Sequence, residues 1–475
     1  MIQITTTSKH STGCLNRREF IKTTGSAALL YGGVKGASKS VARIPNRSPR
    51  PQNIMVIITD QQHLDTIAAG GCPHVRTPAL DRLLGRGVSF TQSYSPNPLC
   101  SPARSVLFTG RTSSEAAVPV NGLPIRKEIP NLGQWFSQQS PLETVYAGKW
   151  HLPQTYTRFI PGFRVLNTGI GGQGNLCDTA VSRACEAYLR HRRKDQPFLL
   201  VASFMQPHDI CEWLRLNTNN PEQPVYPELR GELPDLPDNF QFDRREPQTV
   251  KKLRLSCDPF IGNWSSEQWR YYRWSYYRHI EMVDAEIGRL LRALEETGRD
   301  RDTLIVFTAD HGEGMAHHQM VRKNHLYDQA ARVPFLISWP GHIEPQRIDT
   351  RHVVSGLDIM PTLCDYAGLT APPSLRGRSL RPILEDRLGP TNEFVVTEVY
   401  RNTGRMLRTE RFKYITYKDD PVDQLFDMKN DPDETRNLAV EAQFADILKD
   451  HRKLLKEWQH RLDVPASVVN ADYWS

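Results

Sequence analysis

The segment Cys100-Ser101-Pro102-Ala103-Arg104 combines residue types that could bind and attack an anion. Proline is tolerated in the first turn of a helix, so Pro102 predicts that Cys100 lies at a helix N-terminus. The unpaired backbone amides and the positive end of the helix dipole favour anions there. Taken alone, the segment is also consistent with an ordinary helix-start cysteine whose pKa is depressed.

Four short apolar runs in the chain are each followed by polar or titratable residues. The runs are 53–60, 144–147, 198–202 and 304–308. The residues at or just after their ends are Asp60, Gln61, Lys149, His151, His208, Asp310 and His311. Continuous apolar runs are typical of strands buried on both faces of a parallel sheet. Because ligands bind beyond the carboxyl ends of such strands, the four endings predict one shared site, although polar residues can also simply mark loops.

A long helix is predicted between the third and fourth of these runs. It extends from about Ser265 to Thr297, because Ser265 and Gln268 form a capping box and apolar residues recur at three- and four-residue steps until Gly298. Its aromatic residues could form a platform for sugars, but they continue in register into aliphatic residues. That continuity favours a stripe packed against the core.

Two other regions depart from the alternation of strands and helices. Residues 210–264 are rich in proline and predict a long irregular insertion over the active-site face. From about residue 391 the chain changes to short apolar strands followed by a charged helix around 441–461. We therefore expect an α/β fold in which helices sandwich a large mixed, mostly parallel sheet, with a smaller C-terminal α+β subdomain.

The N-terminus has the features of an export signal. Arg17 and Arg18 precede a mild run of small residues at 25–34, and Ser40-Val41-Ala42 offers small residues where a signal peptidase cleaves. A disordered basic tail is the alternative. We predict a twin-arginine signal peptide over 1–42, export of the folded protein by the twin-arginine translocase, and a periplasmic or secreted location.

Charge and composition weigh against some classes of function. The formal net charge is +7, but residues 1–42 hold six Lys or Arg against one acid, which leaves about +2 for the remainder. That small excess gives no support to nucleic-acid binding. No apolar run approaches the ~20 residues of a membrane span, so we expect no membrane association after cleavage. Besides Cys14 and Cys100, six cysteines remain, and their spacing matches no zinc pattern.

The chain around these residues resembles the type I sulfatases of the alkaline phosphatase superfamily. Cys100-x-Pro102-x-Arg104, followed by Thr109-Gly110-Arg111, is similar to their signature, in which the cysteine is oxidised to formylglycine. Further matching segments, in the same order, are Asp60, Gly148-Lys149-Trp150-His151, Pro207-His208, 308–313, Lys323 with Tyr327-Asp328, 358–363, and 425–427 with Asn437-Leu438. The resemblance covers most of residues 53–440 and implies an alkaline-phosphatase-like fold.

This resemblance assigns roles to the candidate residues. The implied catalytic residues are Cys100, Arg104, Lys149, His151, His208 and Lys323. The implied metal ligands are Asp60, Gln61, Asp310, His311 and the converted Cys100. Arg104 would orient the nucleophile, and the two lysines with His151 would contact it or the sulfate. His208 would act as general acid toward the leaving oxygen, a role that His151 could share.

The activity implied by the resemblance is hydrolysis of sulfate monoesters. A formylglycine-generating maturation enzyme would convert Cys100 to 3-oxoalanine, the formylglycine residue. One hydroxyl of the hydrated aldehyde would attack sulfur, and the other would then expel sulfate. Oxygen-rich ligation implies Ca²⁺, with Mg²⁺ as the alternative. Export, the long insertion and the separate C-terminal subdomain favour a sulfated saccharide as substrate.

One position departs from a common pattern of the family. Many sulfatases carry two adjacent acids at the end of the first strand, whereas the second position is Gln61 here. The related formylglycine-bearing phosphonate monoester hydrolases have Asp-Gln there, so a phosphonate or phosphate diester hydrolase is an alternative. A catalytically silent protein that binds sulfated glycans is another, and it requires that Cys100 stay unmodified.

The predicted organisation has four parts. They are a signal peptide at 1–42, a linker at 43–52, a catalytic domain at 53–390 and a C-terminal subdomain at 391–475. The sequence leaves open the sugar, the position of its sulfate, exo or endo action, the oligomeric state, disulfide pairing and the choice between Ca²⁺ and Mg²⁺.

Overall fold

The computed structural model describes residues 49–168, 171–217, 227–399, 401 and 403–469. The signal peptide predicted over 1–42 lies outside the described residues. From Pro49 onward the chain forms one compact unit. The predicted division at residue 390 therefore stays a prediction, since the residues on both sides of it belong to the same unit.

The strands lie in three sheets. They are β1 (Asn53–Asp60), β2 (Gly87–Phe90), β3 (Ser93–Tyr94), β4 (Glu143–Gly148), β5 (Arg164–Val165), β6 (Phe198–Pro207), β7 (Thr303–Ala309), β8 (Phe335–Ser338), β9 (Arg347–Asp349), β10 (Val354–Ser355), β11 (Phe394–Val399), β12 (Gly404–Thr409), β13 (Phe412–Tyr417) and β14 (Gln424–Asp427). All four strands predicted from apolar runs are present, as β1, β4, β6 and β7.

The α-helices connect and cover these strands. They are α1 (Pro78–Leu84), α2 (Cys100–Thr109), α3 (Leu132–Gln139), α4 (Gly174–His191), α5 (Ile210–Leu216), α6 (Gln248–Leu255), α7 (Asp258–Ile261), α8 (Ser266–Glu296), α9 (Asp328–Ala331), α10 (Ile359–Ala367), α11 (Arg381–Leu384), α12 (Ala445–His460) and α13 (Ala466–Val469). The long helix predicted from Ser265 is α8, and both halves of its capping box are formed.

The main sheet has the strand order β5-β4-β6-β1-β7-β8-β2-β9. The five strands from β5 to β7 are parallel to one another. β8 is antiparallel to β7 and to β2, and β9 pairs parallel with β2. The predicted mixed, mostly parallel sheet is confirmed, and its parallel half carries all four of the strands whose ends hold candidate residues.

Helices cover both faces of the main sheet. In β1, Ile54, Val56 and Ile58 pack into a core shared with α2, α3, α10 and α11. The alternate residues Met55 and Ile57 pack with α1, α4 and α8 on the other face. Because side chains alternate across a strand and every residue of β1 is buried, the sheet lies between two helical layers. This arrangement holds the strand ends in fixed positions.

The region 210–264 is more regular than its proline content suggests. It contains α5, α6 and α7, whereas residues 230–247 form no helix or strand, so the prediction of an irregular insertion holds for part of the region and misses these helices. Short helices of four to eight residues carry too few turns for an apolar period to stand out beside the prolines.

The predicted C-terminal subdomain is an antiparallel sheet of order β11-β12-β13-β14 with the helix α12. One face of this sheet packs against α12 through Val396, Leu407, Leu448 and Trp458. The other face of this sheet packs on residues from earlier in the chain, including Tyr94 of β3 and residues near α9. Cysteines 72, 100, 177, 185, 211, 257 and 364 are free thiols. Over the described residues, no helix has the length and apolar character needed to cross a membrane.

Candidate active site

The candidate site lies at the carboxyl edge of four adjacent strands, β4, β6, β1 and β7. Asp60 ends β1, and Asp310 follows β7 directly. Lys149 follows β4, and His208 follows β6. Since these strands are parallel neighbours, the structure brings the predicted residues to one edge of the sheet.

Cys100 begins helix α2 and is buried in the centre of the site. Its Sγ lies 3.3 Å from Nε2 of His311 and 3.8 Å from Oδ1 of Asp60, and it accepts a 3.4 Å hydrogen bond from Lys323 Nζ. Burial and Asp60 would raise the pKa of the Cys100 thiol, but Lys149, Lys323 and His311 hold it well below its usual value. The predicted helix-start position is confirmed, and the surroundings favour an anion there.

The two carboxylates of the site share the guanidinium of Arg104. Arg104 Nε donates to Asp310 Oδ2 at 2.9 Å, and Nη2 donates to Asp60 Oδ2 at 3.0 Å. Its Nη1 donates to the Lys149 carbonyl and to Ser203 Oγ, both at 2.8 Å. Arg104 is therefore fully bonded within the protein and positions the acids around Cys100. That Arg104 orients the nucleophile stays a prediction.

The residues around Cys100 fit a divalent cation. One ligand atom each from Asp60, Cys100, Asp310 and His311 lie within 4.8 Å of one another, the only such group of three or more potential ligands among the described residues. His311 Nδ1 lies 2.9 Å from the Gly312 carbonyl, which leaves Nε2 facing the group. Burial and Asp60 raise the pKa of Asp310 to about 7, because its carboxylate is desolvated beside a second acid, and a cation bound between the two would favour its charged form.

Gln61, the fifth predicted ligand, lies beside this group and faces other partners. Its backbone N–H donates to Asp310 Oδ1 at 3.1 Å, and its side-chain oxygen accepts a hydrogen bond from Lys323. Its side-chain amide donates to Glu313 and, at 3.3 Å, to Cys211 Sγ. In this structure Gln61 links Lys323 to the acids.

Two lysines provide the positive charge that a sulfate would need. Lys149 Nζ lies 2.7 Å from Asp60 Oδ2, and Lys323 Nζ reaches Cys100 and Gln61. Burial alone would lower the pKa of Lys323, but nearby anionic groups, Cys100 first, raise it. With Arg104, the site has three basic side chains beside the two acids, and such a group of basic residues attracts an anionic substrate.

The two histidines are held less tightly than the acids and lysines. His151 and His208 are half-buried, and Nδ1 of each ring has no hydrogen-bond partner among the described residues. The backbone carbonyl of His151 accepts a 2.6 Å hydrogen bond from Ser101 Oγ, which ties its loop to helix α2. Burial and the charges of Lys323 and Lys149 lower the pKa of His208 to about 4.

Several supporting residues were missed in the sequence. Glu313 is buried and accepts hydrogen bonds from Gln61, from the Tyr272 hydroxyl and from the Arg322 backbone. The Tyr276 hydroxyl donates to the Gln61 carbonyl at 2.6 Å. Both tyrosines belong to the α8 stripe, which is buried as predicted, but their hydroxyls also fix the end of β1. In the sequence, the available signal was an acid three residues after Asp310.

Two further acids hold the segment that carries His208. Asp178 on α4 accepts hydrogen bonds from the backbone N–H groups of Met205, at 2.7 Å, and Gln206, at 2.8 Å. Asp209 accepts from Gly174 N and Asn175 N at 3.0 Å each, which caps the start of α4. The end of β6 and the start of α4 therefore support each other. Neither acid has a local pattern that identifies this role.

The fold and this edge of the sheet define a class of protein. A mostly parallel α/β sheet with a helix-start nucleophile, paired buried acids and surrounding lysines is the arrangement of an alkaline-phosphatase-like ester hydrolase for anionic substrates. The family model described as "Sulfatase" matches residues 52–369, and "N-sulphoglucosamine sulphohydrolase, C-terminal" matches residues 316–461.

Comparison with known proteins makes the class specific. The chain is 33% identical to the Delta 4,5-hexuronate-2-O-sulfatase of Bacteroides thetaiotaomicron, over 88% of this chain and 92% of the relative. The structure of this chain is similar to that of a 2-O GAG sulfatase, with a TM-score of 0.78 and 29% identity over 87% of this chain and 92% of the other. The chain belongs to the sulfatase family and is a sulfuric ester hydrolase.

A second structural neighbour carries a different activity. The phosphonate monoester hydrolase of Agrobacterium radiobacter is similar with a TM-score of 0.71 and 26% identity, over 87% of this chain and 96% of the other. This likeness agrees with the Asp60-Gln61 pair noted in the sequence. The 2-O GAG sulfatase matches better in both identity and TM-score, which favours sulfate esters over phosphorus esters.

Proposed function

We propose that the protein hydrolyses the sulfate ester of an acidic saccharide, a 2-O-sulfated hexuronate, with formylglycine at position 100 as nucleophile. The observation that carries the mechanism is the position of Cys100 at the start of α2, in contact with His311, Lys323 and Asp60. The activities named for the sulfatase relatives support the choice of sugar.

Cys100 supplies the nucleophile after conversion by a formylglycine-generating maturation enzyme. The hydrated aldehyde offers one hydroxyl to attack sulfur and a second to release sulfate afterwards. Asp60 lies within 3.8 Å of the Cys100 side-chain atom and can accept the proton of the attacking hydroxyl. The N-terminus of α2 stabilises the negative charge that develops at this residue.

Ca²⁺, or Mg²⁺ in its place, is proposed at Asp60, Gln61, Asp310, His311 and the converted residue 100. A bound divalent ion supplies Lewis-acid polarisation of the sulfate oxygens and lowers the pKa of the nucleophilic hydroxyl. The buried acid pair and the raised pKa of Asp310 support a cation here. To bind the metal ion, the Gln61 side chain would either rotate away from Lys323 and Glu313 or donate its oxygen as a ligand while it stays hydrogen-bonded to them.

The remaining side chains bind sulfate and assist the leaving group. Lys149 and Lys323 hold the sulfate oxygens on the two sides of Cys100, and Arg104 keeps the acids and the Lys149 backbone in position. His208 donates a proton to the departing sugar oxygen. Its pKa of about 4 is set partly by Lys323 and Lys149, so a bound anion that neutralises these lysines raises the pKa toward the value a general acid needs.

Export by the twin-arginine translocase and a periplasmic or secreted location are part of the proposal. The support is the Arg17-Arg18 pair with its following small-residue run. A protein that folds before export can be matured on Cys100 in the cytoplasm. Processing at about Ala42 is checked by N-terminal sequencing of protein recovered from the periplasm, and retention of residues 1–42 would contradict it.

The function is tested in two linked measurements on protein produced with a formylglycine-generating enzyme. Mass spectrometry of the peptide that spans Cys100 should find an aldehyde in place of the thiol. Sulfate release should then be measured on 2-O-sulfated hexuronates against sulfated hexosamines. Active protein with only unmodified cysteine would contradict the mechanism, and activity confined to the hexosamines would contradict the substrate.

Phosphonate monoester hydrolysis is the second candidate activity, because Gln61 stands where many sulfatases have an acid and one structural neighbour has that activity. A matched pair of aryl esters, one sulfate and one phosphonate, separates the two. We expect kcat/KM to be higher for the sulfate. A preference for the phosphonate would reverse the order of the candidates.

A further inference from the structure

A cavity of about 530 Å³ lies next to the catalytic edge of the sheet. Its lining includes Gly148, Gln154, Tyr156, Arg158, Phe159 and Asn167. Cavities of this size accommodate small ligands or a few sugar rings. None of the residues identified at Cys100 or among the acids lines it, so it is separate from the reacting centre.

The backbone places this cavity beside the catalytic lysine and histidine. Gly148 is the last residue of β4, and Lys149 and His151 follow it. The carbonyl of Thr155 accepts hydrogen bonds from Trp150 N at 2.8 Å and His151 N at 3.3 Å, which folds the next residues back as a cavity wall. Strand β5 runs parallel to β4, so Asn167 emerges at the same carboxyl edge.

Gly148 shows how closely the two sites adjoin. Its φ is +98°, and a Cβ there would lie 1.9 Å from the Ser203 carbonyl oxygen. Only glycine fits this turn. The same residue thus lines the cavity and directs Lys149 toward Asp60, so a ligand in the cavity sits within a few residues of the sulfate-binding lysine.

The lining has the chemistry of a sugar-binding site. Phe159 is 74% exposed, and Tyr156 is half-buried, so aromatic surface faces the cavity. Gln154 and Asn167 add amide donors and acceptors. Arg158 is exposed, forms no ion pair among the described residues, and is the only charged side chain that they contribute to the lining. Aromatic faces with amides suit a pyranose, and an unpaired arginine suits a carboxylate or sulfate.

We propose that this cavity is a subsite for the saccharide residue adjoining the sulfated hexuronate, with Phe159 against its ring and Arg158 on an anionic substituent. The inference rests on the proposed function, because it assumes a sulfated saccharide at Cys100. It deepens that function by making a disaccharide or longer chain the preferred substrate. The group that Arg158 binds is an anion of the saccharide, either a carboxylate or a second sulfate.

The test compares three substrates on matured enzyme. They are a hexuronate 2-sulfate monosaccharide, the same unit linked to a neutral N-acetylhexosamine, and the same unit linked to a sulfated hexosamine. Wild-type kcat/KM should rise in that order. Phe159→Ala should lower kcat/KM for both disaccharides, and Arg158→Gln should lower it roughly tenfold for the sulfated-hexosamine disaccharide alone, mainly through KM.

Matched controls separate the cavity from general surface effects. Arg183→Gln removes an exposed arginine of α4, and Leu388→Ala removes an exposed apolar side chain, and neither residue lines the cavity. Both variants should have the same kcat/KM as wild type on all three substrates. A hexosamine bearing a carboxylate in place of the sulfate then tells which anion Arg158 prefers, and a loss with either anion supports the subsite.

The subsite would be overturned if kcat/KM were equal for the three substrates. It would also be overturned if the cavity variants lowered kcat/KM equally for all three. Absence of turnover on every sulfated sugar would contradict the proposed function instead. In that case calorimetry with a disaccharide that keeps the hexosamine sulfate and lacks the hexuronate sulfate still tests the cavity. Binding to wild type that Phe159→Ala and Arg158→Gln weaken supports the subsite, and unchanged binding overturns it.

Discussion

Two buried charge clusters in this molecule are built from the same residue types and serve different ends. The catalytic cluster comprises Asp60, Asp310, Arg104 and Lys149 at the ends of β1 and β7. The junction cluster comprises Asp328, Lys413 and Glu434, between α9 and the C-terminal sheet. Each joins two buried acids through a shared cation, and all of these side chains are excluded from solvent.

The pKa pattern of the acids is also similar. In the catalytic cluster the pKa of Asp60 is held low by Lys149 against burial, while burial and Asp60 raise that of Asp310 to about 7. In the junction cluster Lys413 overcomes burial and lowers the pKa of Asp328 to about 2, while burial raises that of Glu434 to about 7. Perturbed pKa values alone therefore do not distinguish a reactive site from a structural one.

What distinguishes the clusters is how completely the charges are paired. Lys413 Nζ lies 2.7 Å from both Asp328 Oδ1 and Glu434 Oε1, and Asp328 N donates to Glu434 Oε2 at 2.7 Å. The catalytic cluster instead faces the Cys100 thiol and His311, in a group of atoms that can ligate a metal. We infer that changes in the junction cluster should affect stability and that changes in the catalytic cluster should affect turnover.

The largest effect is expected for Cys100→Ser. Serine provides one hydroxyl, so it can accept the sulfuryl group but has no second hydroxyl to expel it, and steady-state turnover should fall by at least about 10⁴-fold. Intact-protein mass spectrometry after incubation with an aryl sulfate should detect one added sulfuryl group. Continued turnover comparable to that of wild type would rule out the hydrate mechanism.

Asp310→Asn should lower kcat by roughly 10³-fold or more for every sulfate ester, because it removes a charged ligand of the proposed metal ion. The asparagine oxygen can still accept a hydrogen bond from Arg104, and Arg104 still pairs with Asp60. The melting temperature should therefore change by only a few degrees. Metal content, kcat and thermal unfolding are measured on the same preparation. Retained activity after both this substitution and chelation would exclude the metal.

His208→Ala should separate two kinds of substrate. A sugar alkoxide needs protonation as it leaves, so loss of the general acid should cost roughly 10²- to 10⁴-fold on a sugar sulfate. A nitrophenolate leaves without that help, and the loss on an activated aryl sulfate should be much smaller. His151→Ala is the matched variant. Equal losses on both substrates by His208→Ala would assign His208 to sulfate binding and the acid role to His151.

Lys413→Met should reduce stability without changing the chemistry. Removing one partner of a buried ion pair leaves uncompensated charge and costs about 3–5 kcal/mol in the free energy of unfolding. Glu434→Gln is the control and should cost much less, because the raised pKa of Glu434 means that its charged form is disfavoured in the fold. Denaturant unfolding gives both values, and kcat/KM of the folded protein should stay within about twofold of wild type.

The junction cluster also predicts a direction for pH dependence. The pKa of Asp328 is lower in the folded protein than its ordinary value near 4, so its contribution to stability is complete above about pH 4. That contribution is lost as the pH falls toward about 2. In Lys413→Met this acid-side decrease should be smaller than in wild type, and an identical decrease would show that Lys413 does not set the Asp328 pKa.

Tyr272→Phe should have the smallest effect. The hydroxyl donates to Glu313, which holds Gln61, so its loss loosens a residue that touches the cluster indirectly. We expect kcat to fall by a few-fold, about the effect of one hydrogen bond, with little change in stability. Tyr277→Phe, on the same helix, is the control, because its hydroxyl accepts from Arg273 instead of donating to Glu313. A loss as large as that of Asp310→Asn would place Tyr272 in the reaction itself.

Much of the catalytic edge could be predicted from the sequence because its residues have local marks. Asp60, Lys149 and Asp310 each follow a continuous apolar run, and Pro102 marks the first turn of the helix that begins with Cys100. A strand ending and a helix start are short-range features, so their positions are readable without the fold. The resemblance then implied the roles that these residues take in the proposed chemistry.

The supporting residues could not be predicted in the same way. Tyr272 and Tyr276 fit the core stripe of α8 so well that their hydroxyls carried no separate signal. Asp178 and Asp209 lie on or near helices, where an acid is usually an exposed residue. The helices within 210–264 were missed because each spans too few turns to display a clear period.

The sequence by itself determined the parallel α/β class, the strand ends that form the site and the helix-start cysteine, because apolar periodicity and capping are local properties of the chain. Only the tertiary structure decided which charges are paired. Arg104 meets Asp60 and Asp310, and Lys413 meets Asp328 and Glu434, across long stretches of sequence. Burial and distance set the strength of such interactions, and both depend on how the elements pack.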